Sequence, residues 1–322
     1  MLKLSPENFN KARNFIFTNG DEINHALFRY HFDDGDADAF MAVLAKYQHE
    51  NGGFGGLSDE FEYQGPCLKC TEIAIRYILG LDEKPSGDHI VIRRMMAYLL
   101  DHYIPEIGNW GEPFVPEINE DVHCSWSRYR GATPDAMADD EERIKRYDPN
   151  EKVCFAAFVT HYSEIVPQEL HDEIIKYPIQ HILRYWDKDS PEYCVGSVYD
   201  FEYFQWFVPC LKNKNIADKL TVILQQNPTA FWELDFTKSD TDYVHLPCIS
   251  PKNIVYPVVK DLADAALTFR IKQQRDNGKW PLGWSYGDSE GMRRLEAKSD
   301  VMRTVNMLVL LKKSGRILSI MM

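Results

Sequence analysis

One phrase recurs at least four times along this chain, and it restricts the possible folds more than any other feature. The clearest copies run from Leu44 to Phe54, through Gln48 and Asn51-Gly52-Gly53, and from Phe269 to Trp280, through Gln274 and Asn277-Gly278. Each ends an apolar helical run with Gln, turns through acidic or amide residues and Gly, and closes on an aromatic. Looser copies end at Trp110, after Gly108-Asn109, and at Trp232, after Gln225-Gln226-Asn227-Pro228. A phrase repeated every few dozen residues marks units that bury their apolar faces only by stacking on one another. The Gln can cap main-chain groups of a neighbouring helix pair, the Gly supplies a positive-φ turn, and the aromatic covers a helix end. Gln48, Phe54, Gln274 and Trp280 therefore read as structural staples rather than ligand contacts.

Helix signals dominate between the copies. Ser5-Pro6-Glu7, Asp148-Pro149-Asn150-Glu151 and Ser190-Pro191-Glu192 each set a capping side chain before a Pro, with acids in the first turn. Apolar residues then recur at helical spacing, as in Phe40, Val43, Leu44 and Tyr47, or Ile92, Met95, Met96, Leu99 and Leu100. A closing helix is expected from about Asp300 to Lys312, with Gly315 as its stop signal. No alternating strand series stands out, although Ile249 to Val255 has room for a short irregular one. The reading is all-α, about ten to twelve helices in pairs. No Gly/Ser linker divides residues 1–322, so a single domain is expected. The best-matched copies lie near the two ends, which favours a closed ring over an open solenoid.

Composition excludes several classes of function. The net charge of −13 disfavours nucleic acid and anionic membranes as partners. No apolar run approaches the roughly 20 residues of a spanning helix, and the start, Met1 to Glu7, lacks the apolar core of a secretory signal. A cytoplasmic location is the expectation. The odd count of 7 cysteines fits reduced thiols rather than a disulfide framework. Cys67 and Cys70 have metal-like spacing, but they sit inside an apolar helical pattern and read as small buried hydrophobes.

Three blocks resemble the α/α toroids of terpenoid cyclases and protein prenyltransferases, in particular their uncharacterised bacterial, prenyltransferase-like branch. They are Phe28 to Phe32 through Gln48 and Gly52-Gly53-Phe54-Gly55 to Asp59-Glu60; Pro247 to Pro251 leading into Tyr256; and Gln274, Asn277 to Pro281 and Trp284 through Leu295-Glu296 and Thr304 to Ile317. The resemblance implies one closed ring of about five to six helix hairpins, with inner and outer helices around a central cavity. The chain departs from such relatives at Gly56-Leu57-Ser58-Asp59-Glu60 and at Ala297-Lys298-Ser299. Function is therefore expected in segments 55–66 and 281–299.

The chemistry of the characterised relatives is not written here. The Asp-x-Asp-Asp acid of class II cyclases is missing. Asp33-Asp34-Gly35-Asp36-Ala37-Asp38 has neither the spacing of a diphosphate-magnesium motif nor that of an EF-hand, and reads as a helix cap. Asp121-Val122-His123-Cys124 resembles part of a prenyltransferase zinc site, with an Asp-to-Cys spacing one residue too long and no third ligand placeable among His161 and His245. No metal or cofactor is expected. The segment Tyr199 to Phe207 forms a helix aromatic nearly all round, with Asp200 and Glu202 among the rings.

Two functions compete. One is a binding protein whose aromatic- and carboxylate-lined cavity holds a small-molecule or glycan ligand, with Tyr63, Trp126, Arg128, Tyr203, Trp206 and Trp284 as candidate contacts. The other is a carbohydrate-active hydrolase or lyase using two carboxylates drawn from Asp59, Glu60, Glu202 and Glu296. Prenyl transfer or terpenoid cyclisation ranks below both.

Overall fold

The computed structural model describes residues 1–112, 115–120, 122–124, 150–194, 198–227, 250–280 and 285–318. Twelve α-helices make up most of these described residues: α1 (Pro6–Asn19), α2 (Glu22–Phe32), α3 (Ala37–Leu44), α4 (Leu68–Gly80), α5 (Ile90–Asp101), α6 (Pro116–Glu120), α7 (Asn150–His161), α8 (Gln168–His181), α9 (Val198–Cys210), α10 (Lys214–Gln225), α11 (Tyr256–Gln273) and α12 (Glu290–Lys313). The described strands are two short ones, β1 (Tyr103–Ile104) and β2 (Asn109–Trp110), paired antiparallel with Tyr103 opposite Trp110. The all-α reading stands.

The repeated phrase is a set of equivalent contacts. Gln48 Nε2 donates to Gly52 O and to Val91 O in the first turn of α5, both at 3.0 Å. Gln274 Nε2 donates to Gly278 O and to Asn8 O in the first turn of α1, both at 2.9 Å. Gly52 (φ 94°) and Gly278 (φ 93°) make the turns. A Cβ on either would lie 2.0 Å from Arg94 O or 2.2 Å from Lys11 C, so only glycine lets each turn touch the neighbouring helix. Phe54 N–H then donates to Thr71 Oγ1 and Trp280 N–H to Thr304 Oγ1, while Trp280 Nε1 donates to Arg270 O. Trp110 repeats the last contact, to Leu99 O. Trp232 lies outside the described residues, but Gln225 in the same copy donates to Ile254 O at 2.7 Å.

Neighbouring elements follow one another through space. α2 packs on α3 and on α12, and α1 on α12. Phe40 of α3 meets Tyr77 of α4 edge-on. α4 packs on α7, and α7 on α8 and α9. Asn253 donates to Gln205 of α9, joining it to the segment that enters α11. The ends of the described chain lie side by side, with Leu4 N–H donating to Arg316 O and Leu318 N–H to Leu4 O.

Two expected helix starts are corrected. Ser190-Pro191-Glu192 is a turn, with Ser190 Oγ accepting Glu192 N–H, and no helix begins among the described residues 190–194; Ser-Pro opens turns as readily as helices. α12 starts ten residues before Asp300, capped by Ser289 Oγ on Met292 N–H. Its first turns bury Gly291, Leu295 and Ser299, a stripe too polar for an apolar period to reveal. Its end is as expected: Arg316 N–H donates to Leu311 O and Gly315 N–H to Lys312 O around a left-handed Gly315. Asp36 caps α3, as read from the acidic cluster. Residues 250–255 form bends and turns, not a strand.

Two predictions follow from this packing. Gln274→Ala removes two hydrogen bonds, one to Asn8 O of α1 and one to Gly278 O of its own turn, and should cost about 1–3 kcal/mol, lowering the midpoint of thermal unfolding. His31 and His181 are both held down to about 4: His31 by burial and by Lys313, with lesser help from Lys312 and Lys252 against the opposing effect of Asp82, and His181 by burial. The unfolded state then binds more protons between the ordinary value of 6.5 and about 4. Stability should be level above that window and fall as pH drops through it; a level denaturant midpoint across the window would contradict this.

Candidate functional site

The two segments singled out by their sequence meet. Lys298, in the third turn of α12, donates to Gly56 O at 2.8 Å and Ser58 O at 2.7 Å. Tyr286 OH donates to Asp59 Oδ2 at 3.3 Å, and Glu296 Oε2 accepts both Tyr286 N–H and Ser285 Oγ–H at 3.1 Å. One tyrosine thus ties together Asp59 and Glu296, which are 237 residues apart in sequence (296 − 59). Burial and the adjacent Asp59 carboxylate push the Tyr286 phenol far above its usual range, so it stays protonated and acts as a donor. Beneath it a small apolar cluster of Cys124, Leu295, Val122 and Met292 fixes the ring.

A third segment closes the arrangement. Cys124 N–H donates to Glu60 O and Glu62 N–H to Val122 O, an extended pairing that sets Phe61 opposite His123. Arg294 holds Glu62 through Nε at 2.9 Å and Nη2 at 3.0 Å, a bidentate pair on the exposed rim. On α4, Lys69 lies 3.9 Å from Glu60 and 3.8 Å from Glu72, and Arg76 lies 3.6 Å from Glu72. Glu72 is fully buried, and two cations on its own helix offset the cost of its charge. The site is therefore polar and of alternating charge.

The sequence candidates divide. Asp59, Glu60 and Glu296 come together. Tyr63 is half-buried, its ring over Gly65 and its phenol raised by burial and then by Cys67, Glu117 and Glu112. Tyr203 is buried in the main core and Trp206 packs against it, their rings 6.3 Å apart. Trp126, Arg128 and Trp284 lie outside the described residues, as does the side chain of Glu202, although its backbone belongs to α9. His123 and Cys124 stand in the extended pairing. Among the described residues no three His, Cys, Asp or Glu side chains are grouped to hold a metal.

Tyr286, Lys298, Lys69 and Glu72 escaped the sequence reading. Two carried a signal of position: Lys298 sits in the Ala297-Lys298-Ser299 departure and Tyr286 within segment 281–299. No protein-family model matches this chain, and no curated protein matches it.

Lys298 is the tether of the loop at residues 56–58. Lys298→Met should raise amide hydrogen exchange across residues 55–62 several-fold while the exchange of α7 stays unchanged. Each lost charge-assisted hydrogen bond is worth about 1.5–3 kcal/mol.

Proposed function

We propose that this protein is an α/α toroid of the prenyltransferase-like kind that binds a polyhydroxylated small molecule or glycan in its central cavity. The succession of helix contacts and the meeting of the chain ends support the ring. The observation that carries the ligand class is the Tyr286 link between Asp59 and Glu296, beside the Lys69–Glu72–Arg76 face. Hydroxyl groups donate to carboxylates and accept from ammonium and guanidinium groups, so a sugar satisfies such a site. A hydrocarbon chain would strip water from the same groups and return no hydrogen bonds. Isoprenoid substrates are therefore the poorer fit.

A hydrolase or lyase is the second reading. One observation favours it: two carboxylates from distant segments bind the same residue, Asp59 through the Tyr286 phenol and Glu296 through its main-chain N–H. In such a site one carboxyl group delivers a proton to the leaving oxygen while the other activates water or holds charge on the sugar.

Thermal-shift screening separates these readings. Neutral oligosaccharides should raise the unfolding midpoint, with stabilisation of about 2.7 kcal/mol at a hundred times Kd, and both Asp59→Asn and Glu296→Gln should weaken the effect. Turnover of the bound oligosaccharide would establish the second reading. A shift with prenyl diphosphate and magnesium but none with any oligosaccharide would overturn both.

A further inference from the structure

Cys67 and Cys70 lie directly under the loop of the candidate site, whose Leu57 and Ser58 N–H groups reach the Cys70 sulfur. Cys67 is the N-cap of α4, and its Sγ accepts the Cys70 N–H at 3.4 Å. Sulfur is a weak acceptor, and Ser, Thr, Asp or Asn would cap this helix better. Capping alone therefore gives little reason for a thiol here. The two side chains stand three residues apart on a first helical turn, where such positions are neighbours. Glu112, itself buried, receives Leu68 N–H on both oxygens at 3.0 and 2.9 Å and lies beside Cys67.

The pair is asymmetric. The Cys67 thiol donates to the Cys70 sulfur, which holds Cys70 below the usual thiol range. The main-chain N–H groups of Ser58 and Leu57, and the charge of Lys298, add to this against the opposing effect of burial. The same shared hydrogen bond, then burial, raise Cys67 far above that range. Cys70 is the sulfur prepared to carry charge, at the positive end of a helix.

We propose that Cys67 and Cys70 form a redox-active dithiol that closes to a disulfide on reaction with a small uncharged hydroperoxide, with Cys70 as the attacking sulfur. Both thiols are fully buried, which sets the class of oxidant: hydrogen peroxide has the size to permeate to them, whereas a peptide or protein disulfide does not. In the first step the Cys70 thiolate attacks one peroxide oxygen. An S–O bond forms, the O–O bond breaks, and the departing hydroxide takes up the proton Cys70 had released and leaves as water. Cys70 is then a sulfenic acid. In the second step the Cys67 sulfur attacks the Cys70 sulfur. The S–S bond forms, the S–O bond breaks, and hydroxide leaves with the Cys67 proton as a second water. Two thiols are oxidised by two electrons and one peroxide is reduced to two waters.

Closure also changes the Cys70 sulfur that Leu57 and Ser58 face, which loosens the loop carrying Asp59 and Glu60. Any effect on ligand binding rests on the function proposed above; formation of the disulfide does not.

The test treats the reduced full-length chain with hydrogen peroxide, then unfolds it, alkylates it and maps its peptides by mass. The expected product is a peptide spanning Cys67 and Cys70 that is two hydrogens lighter, unalkylated, and restored by dithiothreitol. Glutathione disulfide should leave both residues unmodified over the same time. In Cys67→Ser a dimedone-reactive sulfenic acid should accumulate at Cys70, and in Cys70→Ser none should form at Cys67. Wild-type protein in which both residues stay fully alkylated after exposed Cys194 has been oxidised would overturn the proposal, whatever the variants do.

Discussion

The arrangement depends on one interaction, a glutamine amide that holds two carbonyls at once. Gln48 and Gln274 each bind the carbonyl of their own turn and a first-turn carbonyl of a separate helix. Each hydrogen bond is worth only about 1 kcal/mol net. The selectivity comes from the adjacent glycine, whose backbone touches the neighbouring helix where no Cβ fits. Amide and glycine together fix both the spacing and the rotation of the two helices. The two copies also launch the two segments that form the candidate site. Residues 55–62 follow Phe54, anchored on Thr71, and residues 285–298 lie beyond Trp280, anchored on Thr304. Equivalent fasteners thus deliver two inequivalent segments to one place.

Helix polarity sorts the charges around this frame. The candidate site gathers near the N-terminal ends of α4 and α12, where backbone dipoles favour carboxylates. The opposite ends of α2 and α4 carry lysines: Lys312 donates to His31 O, Lys313 to Gly80 O and Lys84 to Leu81 O. These lysines resemble an anion site in a chain of net charge −13. Each is already engaged by a helix-end carbonyl, where the helix dipole favours a cation, so their role is to close helix ends.

Much of the fold was legible because its signals are local. Ser5, Asp36 and Gly315 act through residues within four or five positions, and the structure places all three at the helix boundaries expected of them. Ser190 misled because its local chemistry suits turns and helices equally. The early start of α12 was hidden because its buried stripe is Gly291, Leu295 and Ser299. At the site, Asp59, Glu60 and Glu296 were visible as acids in unusual segments. Tyr286 was not, since its importance comes from a partner more than two hundred residues away.

By itself, then, the sequence determined the helices, their caps and the staples that join them, because hydrogen bonds across a few residues and an apolar period are written consecutively. Only the tertiary structure decided which acids share a tyrosine, which lysine ties down the loop, and that two apparently inert cysteines lie beneath it. Those facts belong to segments brought together by the packing of distant helices, and no local pattern encodes such a meeting.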